Sequence, residues 1–131
     1  MRRHLWIGIV FVLSVASGCE AALAQRSFPE PKSFPQQGGE AIFRGVCQDC
    51  HMPNAKGAIG AGMYPALARD PKLEVAGYPI SVVVNGQKAM PAFGPMFSDQ
   101  QIADVVNYVR SHFGNSYKDQ VSTADIKAAR Q

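Results

Sequence analysis

The residues of this chain best suited to chemistry stand together at Cys47-Gln48-Asp49-Cys50-His51. Two thiols at this spacing can each add across a vinyl group of one haem, and a histidine directly after the second falls under the iron as an axial ligand. Other chemistries use the same residue types. A structural zinc ion asks for about four nitrogen or sulfur ligands, and beyond the N-terminal segment the chain offers Cys47, Cys50, His51 and His112. A thiol oxidoreductase would set its Cys-x-x-Cys in a βαβ context, and no such alternation of strands and helices is visible. Covalent haem through Cys47 and Cys50, with His51 on the iron, is the expectation.

The second axial ligand must come from far along the chain, and Met52, Met63, Met90, Met96 and His112 are the candidates. Met52 adjoins His51 and cannot reach the opposite face. Met63 follows closely in a loop with Gly57, Gly60 and Gly62, which suits passage on the histidine side. Met90 precedes Pro91, which fixes its own φ and biases Met90 toward an extended conformation, a stiff way to present a sulfur. Met96 lies just before a long helix. His112 falls in that helix's last turn, where partial positive charge is favourable. Any methionine is more often a core gap-filler than a ligand. Met90 is the expected sixth ligand and Met96 its competitor; a Met/His pair is the ligation of electron carriers.

Helices must position these groups. Ser98-Asp99-Gln100-Gln101 forms a capping box, with Phe97 and Ile102 placed to staple it. Ile102, Val105, Val106, Val109 and Phe113 recur at helical spacing, and Gly114 marks the stop. A shorter helix is predicted over about Gly39 to Val46, its apolar side Ile42, Phe43 and Val46, running directly into Cys47. Ile80 to Val84 has strand propensity, but with no partner strand in sight and Gly86 as terminator it is assigned as helix. Ser122 or Thr123 can cap a final helix to about Arg130.

The first 24 residues have the grammar of an export signal: Arg2 and Arg3, an uncharged run from Leu5 to Cys19, then Ala22-Leu23-Ala24 as the cleavage site. That uncharged run is 15 residues, short of the ~20 that cross a bilayer. Ser17-Gly18-Cys19 also resembles the end of a lipobox, with Ala16 a poor match. Cleavage after Ala24 leaves 107 residues, takes the net charge from +3 to +2, and removes Cys19. The odd count of three cysteines thereby resolves into the pair at 47 and 50. Residues 25–38 carry Pro29, Pro31 and Pro35 and read as an extended linker, onto whose neighbouring domain, 39–131, Phe28 or Phe34 can pack.

One small domain fits this length. The charge is too mild for a nucleic-acid binder, and no stretch beyond the N-terminus is apolar enough for a multi-span membrane protein. Arg44, Lys56, Arg69, Lys72 and Lys88 against Asp49, Asp70 and Glu74 leave the haem segment slightly basic, a balance that permits an acidic partner and equally describes a mixed solvated surface.

Taken in order, Gly39-x-x-x-Phe43, Cys47-x-x-Cys50-His51, Pro65-x-Leu67, Asn85-Gly86 with Met90-Pro91, and Tyr108-Val109 resemble a class I, mitochondrial-type c-type cytochrome of the bacterial single-haem kind. The resemblance covers about Gly39 to Phe113. It implies an all-α fold, three to five helices around one covalently attached haem c. It further implies that Gly39 lets the first helix cross the last closely beside Phe43 and Tyr108. The Pro65 carbonyl would accept from the other ring nitrogen of His51, Leu67 would pack on the haem, and Met90 would supply the thioether. The function it implies is a periplasmic carrier of single electrons between a dehydrogenase or respiratory donor and an oxidase-type acceptor, free or as a dehydrogenase's cytochrome subunit. Peripheral membrane association is compatible with this. The alternative is a haem enzyme or gas-binding sensor whose sixth ligand is open or displaceable.

Overall fold

A computed structural model describes residues 34–60 and 62–130; the expected export signal and most of the expected linker lie outside these. Phe34 and the residues to Gln37 run without helix. The first helical stretch is continuous but not uniform. It begins as α1, Gly39–Ile42, passes through a π-helical turn, Phe43–Cys47, and resumes as α2, Gln48–His51. The sequence predicts a stop near Val46; the chain instead stays helical through His51. Met52 ends it in the left-handed region at φ 66°.

A small antiparallel hairpin follows, β1 (Ala58–Ile59) with β2 (Met63–Tyr64), pairing Ala58 with Tyr64 and Ile59 with Met63. It is an addition to the expected helices. A short 3-10 turn, Pro71–Leu73, is capped by the Asp70 carboxylate accepting from the Lys72 amide. Next comes α3, Gly77–Asn85. Its valines form helix despite their β-branching because Ile80 and Val84, one turn apart, are buried against the core, and burial outweighs a propensity difference of well under ~1 kcal/mol per residue. Pro79 falls in the first turn, where a missing N–H loses nothing.

The main helix is α4, Asp99–Ser111. Both bonds of its capping box are made: the Gln101 amide donates to Ser98 Oγ at 3.2 Å, and the Ser98 amide donates to Gln101 Oε1 at 2.9 Å. Gln101 Nε2 goes further, donating to the carbonyls of Phe34 and Gln36 at 2.7 and 2.9 Å. The Phe34 ring then meets Phe97 edge-on at 5.0 Å, so Phe34 packs on the domain, while Phe28 lies outside the described residues. The helix stops at Ser111, short of Gly114, because its last carbonyls are taken by the Ser111 hydroxyl and by side-chain and backbone donors that follow it. Ser111 Oγ donates to Asn107 O, His112 Nδ1 to Tyr108 O, Asn115 Nδ2 to Val109 O, and the Tyr117 amide to Arg110 O. The groups a helix C-terminus leaves orphaned are thereby satisfied without another turn.

Helix α5, Thr123–Ala129, is capped by Ser122 with Asp125 in a second reciprocal box. It buries Ile126 completely against α3 and α4. Across the molecule α1 crosses α4 where Gly39 has no side chain: a Cβ there would stand 2.5 Å from Tyr108 Cβ and closer still to the Asp104 carbonyl. Phe43 packs beside that crossing, its ring 5.8 Å from Tyr108 and 4.7 Å from Phe113. The architecture is a small all-α fold.

Candidate functional site

Cys47 closes the π turn, and Cys50 and His51 lie one turn further on in α2. Both thiols are free, Cys47 half-buried and Cys50 exposed. Burial, helped by the negative charge of Asp49 and of Cys50, pushes the Cys47 thiol up to about 12, so it stands protonated at neutral pH. His51 is only 7% exposed. Its Nδ1 lies 2.9 Å from the Pro65 carbonyl oxygen. A carbonyl only accepts, so the proton sits on Nδ1 and the lone pair on Nε2 is left for a metal.

The loop between them is built to deliver that carbonyl. Met52 and Ala55 both take positive φ, and the Gly57 amide donates to the His51 carbonyl at 3.0 Å. Ala55 is fully buried and its carbonyl accepts from both Leu67 and Ala68, which draws the far end of the loop back under α2. Gly57 is required at φ 66°, and a Cβ on it would overlap the Tyr64 carbonyl and stand 2.7–2.8 Å from the Pro65 carbonyl group. Leu67 is half-buried against the core, and its carbonyl accepts from the buried Asn115 at 2.8 Å. Asn115 and Gly57 are positioning residues that the motifs do not single out. Gly57 has a sequence signal, the glycine-rich loop; Asn115 has none.

Met90 is carried by a separate structure at the C-terminal end of α3. Gly86 caps the helix at φ 74°, and Gln87 and Met90 exchange both backbone hydrogen bonds, 3.0 and 2.9 Å, across a tight turn. A Cβ on Gly86 would meet the Met90 carbonyl and the Ala92 amide at 2.8 Å, so glycine lets the chain double back beside the methionine. Met90 is half-buried. Met96 is also half-buried but packs against the main core cluster, the ordinary role of a methionine. Met63 is 77% exposed on the hairpin. His112 stacks on Tyr108 at 4.1 Å and caps α4. Among the described residues no group of three or more His, Cys, Asp or Glu is gathered as a metal site.

The chemistry of this donor set fits a haem. It supplies two unpaired thiols, an imidazole whose distal nitrogen is freed by a backbone acceptor, and a thioether on a rigid turn outside the core cluster.

The family described as cytochrome c oxidase, cbb3-type, subunit III, matches residues 35–109. The chain is 35% identical over 107 residues to the fructose dehydrogenase cytochrome subunit of Gluconobacter japonicus, covering 70% of this chain and 22% of that protein. It is 31% identical over 112 residues to the gluconate 2-dehydrogenase cytochrome c subunit of Pantoea cypripedii, covering 76% of this chain and 25% of that one. With cytochrome c6 of Bumilleriopsis filiformis it shares 39% identity over 80 residues, which are 57% of this chain and 88% of the relative. The chain belongs to this family of c-type cytochrome domains and is of the single-haem, class I kind. It spans about a quarter of the dehydrogenase cytochrome subunits and nearly all of the cytochrome c6.

Proposed function

We propose that the chain carries single electrons on one haem c, which Cys47 and Cys50 would hold covalently and whose iron His51 and Met90 would ligate. The observation that carries this reading is the 2.9 Å bond from His51 Nδ1 to the Pro65 carbonyl, since a fixed tautomer with a free Nε2 is how a protein prepares a histidine for iron. When bound, the haem would supply a one-electron couple, and a methionine ligand would raise its potential. The protein's own part is to orient His51 and to hold Met90 on a turn closed by two backbone bonds, and Leu67 would pack on the haem.

The donor is a dehydrogenase and the acceptor an oxidase-type complex; the kinship with dehydrogenase cytochrome subunits supports the first. The protein works in the periplasm, exported by residues 1–24 and cleaved after Ala24, with 25–38 as a linker to the domain at 39–131. No helix among the described residues is long and apolar enough to cross a membrane.

The test is spectroscopic. The ferric protein should show the near-infrared charge-transfer band of methionine–iron ligation. Met90→Ala should abolish it and Met96→Ala should leave it. A band lost only in Met96→Ala would move the ligand to Met96. Absence of the band in the wild type, with rapid carbon monoxide binding when ferrous, would replace the carrier with a gas-binding or catalytic haem protein.

A further inference from the structure

Arg130 follows α5 and reaches back to the segment just beyond Met90. Its guanidinium donates to the carbonyls of Gly94 and, at 2.7 Å, Phe97, and its Nε donates to the Asp99 carboxylate at 2.6 Å. On the other side the same segment is tied to the end of α3: the Phe93 and Gly94 amides donate to the Val83 and Val84 carbonyls at 2.9 and 3.1 Å. The return leg of the methionine turn is thus held between α3 and one arginine. The two carbonyls that Arg130 grips bracket Met96, whose side chain sits in the core cluster. The matched family residues end at 109, so this arginine lies outside them.

We propose that Arg130 is a positioning residue for the sixth ligand. By fixing the leg at Gly94 and Phe97 it keeps Met90 presented and Met96 turned into the core. This rests on Met90 being the ligand. The ion pair with Asp99 is partly exposed on both sides, 28% and 35%, and pairs of that kind contribute little; the carbonyl bonds do the holding. Arginine's planar fork spans two acceptors at once, which a lysine ammonium reproduces poorly.

The experiment is an imidazole titration of the ferric holoprotein, followed by bleaching of the near-infrared band. An outside ligand binds only the fraction with Met90 released, so its apparent affinity reports that fraction. Arg130→Ala should bind imidazole about tenfold more tightly, the scale set by losing charged hydrogen bonds to carbonyls. Arg130→Lys should fall between, and Asp99→Asn should stay near wild type. Leu73→Ala, in the 3-10 turn, serves as a comparison that loses stability elsewhere. An unchanged imidazole affinity in Arg130→Ala overturns the proposal. So does an equal shift in Leu73→Ala at matched urea stability, since Arg130 would then act only through global stability. A wild type without the band overturns the Met90 assignment as well; a normal wild-type band with an unaffected Arg130→Ala overturns this inference alone.

Discussion

At the scale of single residues, the orientation of His51 depends on a glycine six positions later. Gly57 lets the chain pass so close under the Pro65 carbonyl that any side chain would push that oxygen away from Nδ1. Gly57→Ala also forces alanine to φ 66°. The variant should lose about 1–3 kcal/mol of stability, read as a lower urea midpoint. In proton NMR of the ferrous protein its His51 Nδ1–H should exchange faster with solvent. A Gly57→Ala protein with wild-type midpoint and exchange would show that the loop can re-form the bond by another route.

At the scale of elements, the crossing of α1 over α4 governs how the attachment residues meet the rest of the fold. Gly39→Ala places a methyl where Asp104 and Tyr108 already stand, with backbone rather than flexible side chain in the way. Overpacking of this sort costs about 1–3 kcal/mol, and thermal unfolding of the holoprotein should report it. Much of this level was legible in the sequence. The capping box at Ser98 and the stripe from Ile102 announce α4 because local chemistry and burial agree there. Ile80–Val84 was harder, since β-branching argues one way and burial the other. The hairpin at 58–64 left no trace, because strands of two residues are too short to show alternation. The π turn left none either, as an extra residue in a helix has no compositional sign. At the proposed site, the spacing of Cys47, Cys50 and His51 is what marks them as candidates. The bond from Asn115 to Leu67 joins residues 48 positions apart, and only the folded chain brings them together.

At the scale of the whole molecule, Arg110 joins α4 to the 3-10 turn and to the segment before α5. It is fully buried and donates to the carbonyls of Leu73, Glu74 and Asp119, and to both Asp119 carboxylate oxygens at 2.7 and 2.8 Å. The hydrogen bond from Arg110 holds the Asp119 carboxyl below the usual carboxylate range. A carboxyl lowered on folding stabilises fully above its unfolded value, and that part is lost as pH falls through the folded one. The Asp119 side chain is 70% exposed, so the effect is small. Asp119→Asn should lie slightly below wild type in urea midpoint by a constant margin at neutral pH. The margin should close only below about pH 4. A margin that instead widens on acidification would contradict this sign. The backbone carbonyls still hold Arg110 in that variant, so it should fold. The π turn between Phe43 and Cys47 has a consequence of another kind. It contains one residue more than the α-helix around it requires, absorbed without rotating the residues beyond it. Deleting Gly45 should therefore let the helix close as ordinary α and leave Cys47, Cys50 and His51 facing as before, with haem still incorporated on expression. Inserting one alanine after Gly45 has no such slack to use and should swing the motif by about 100°, with haem incorporation lost: the attachment helix tolerates shortening by one residue and not lengthening.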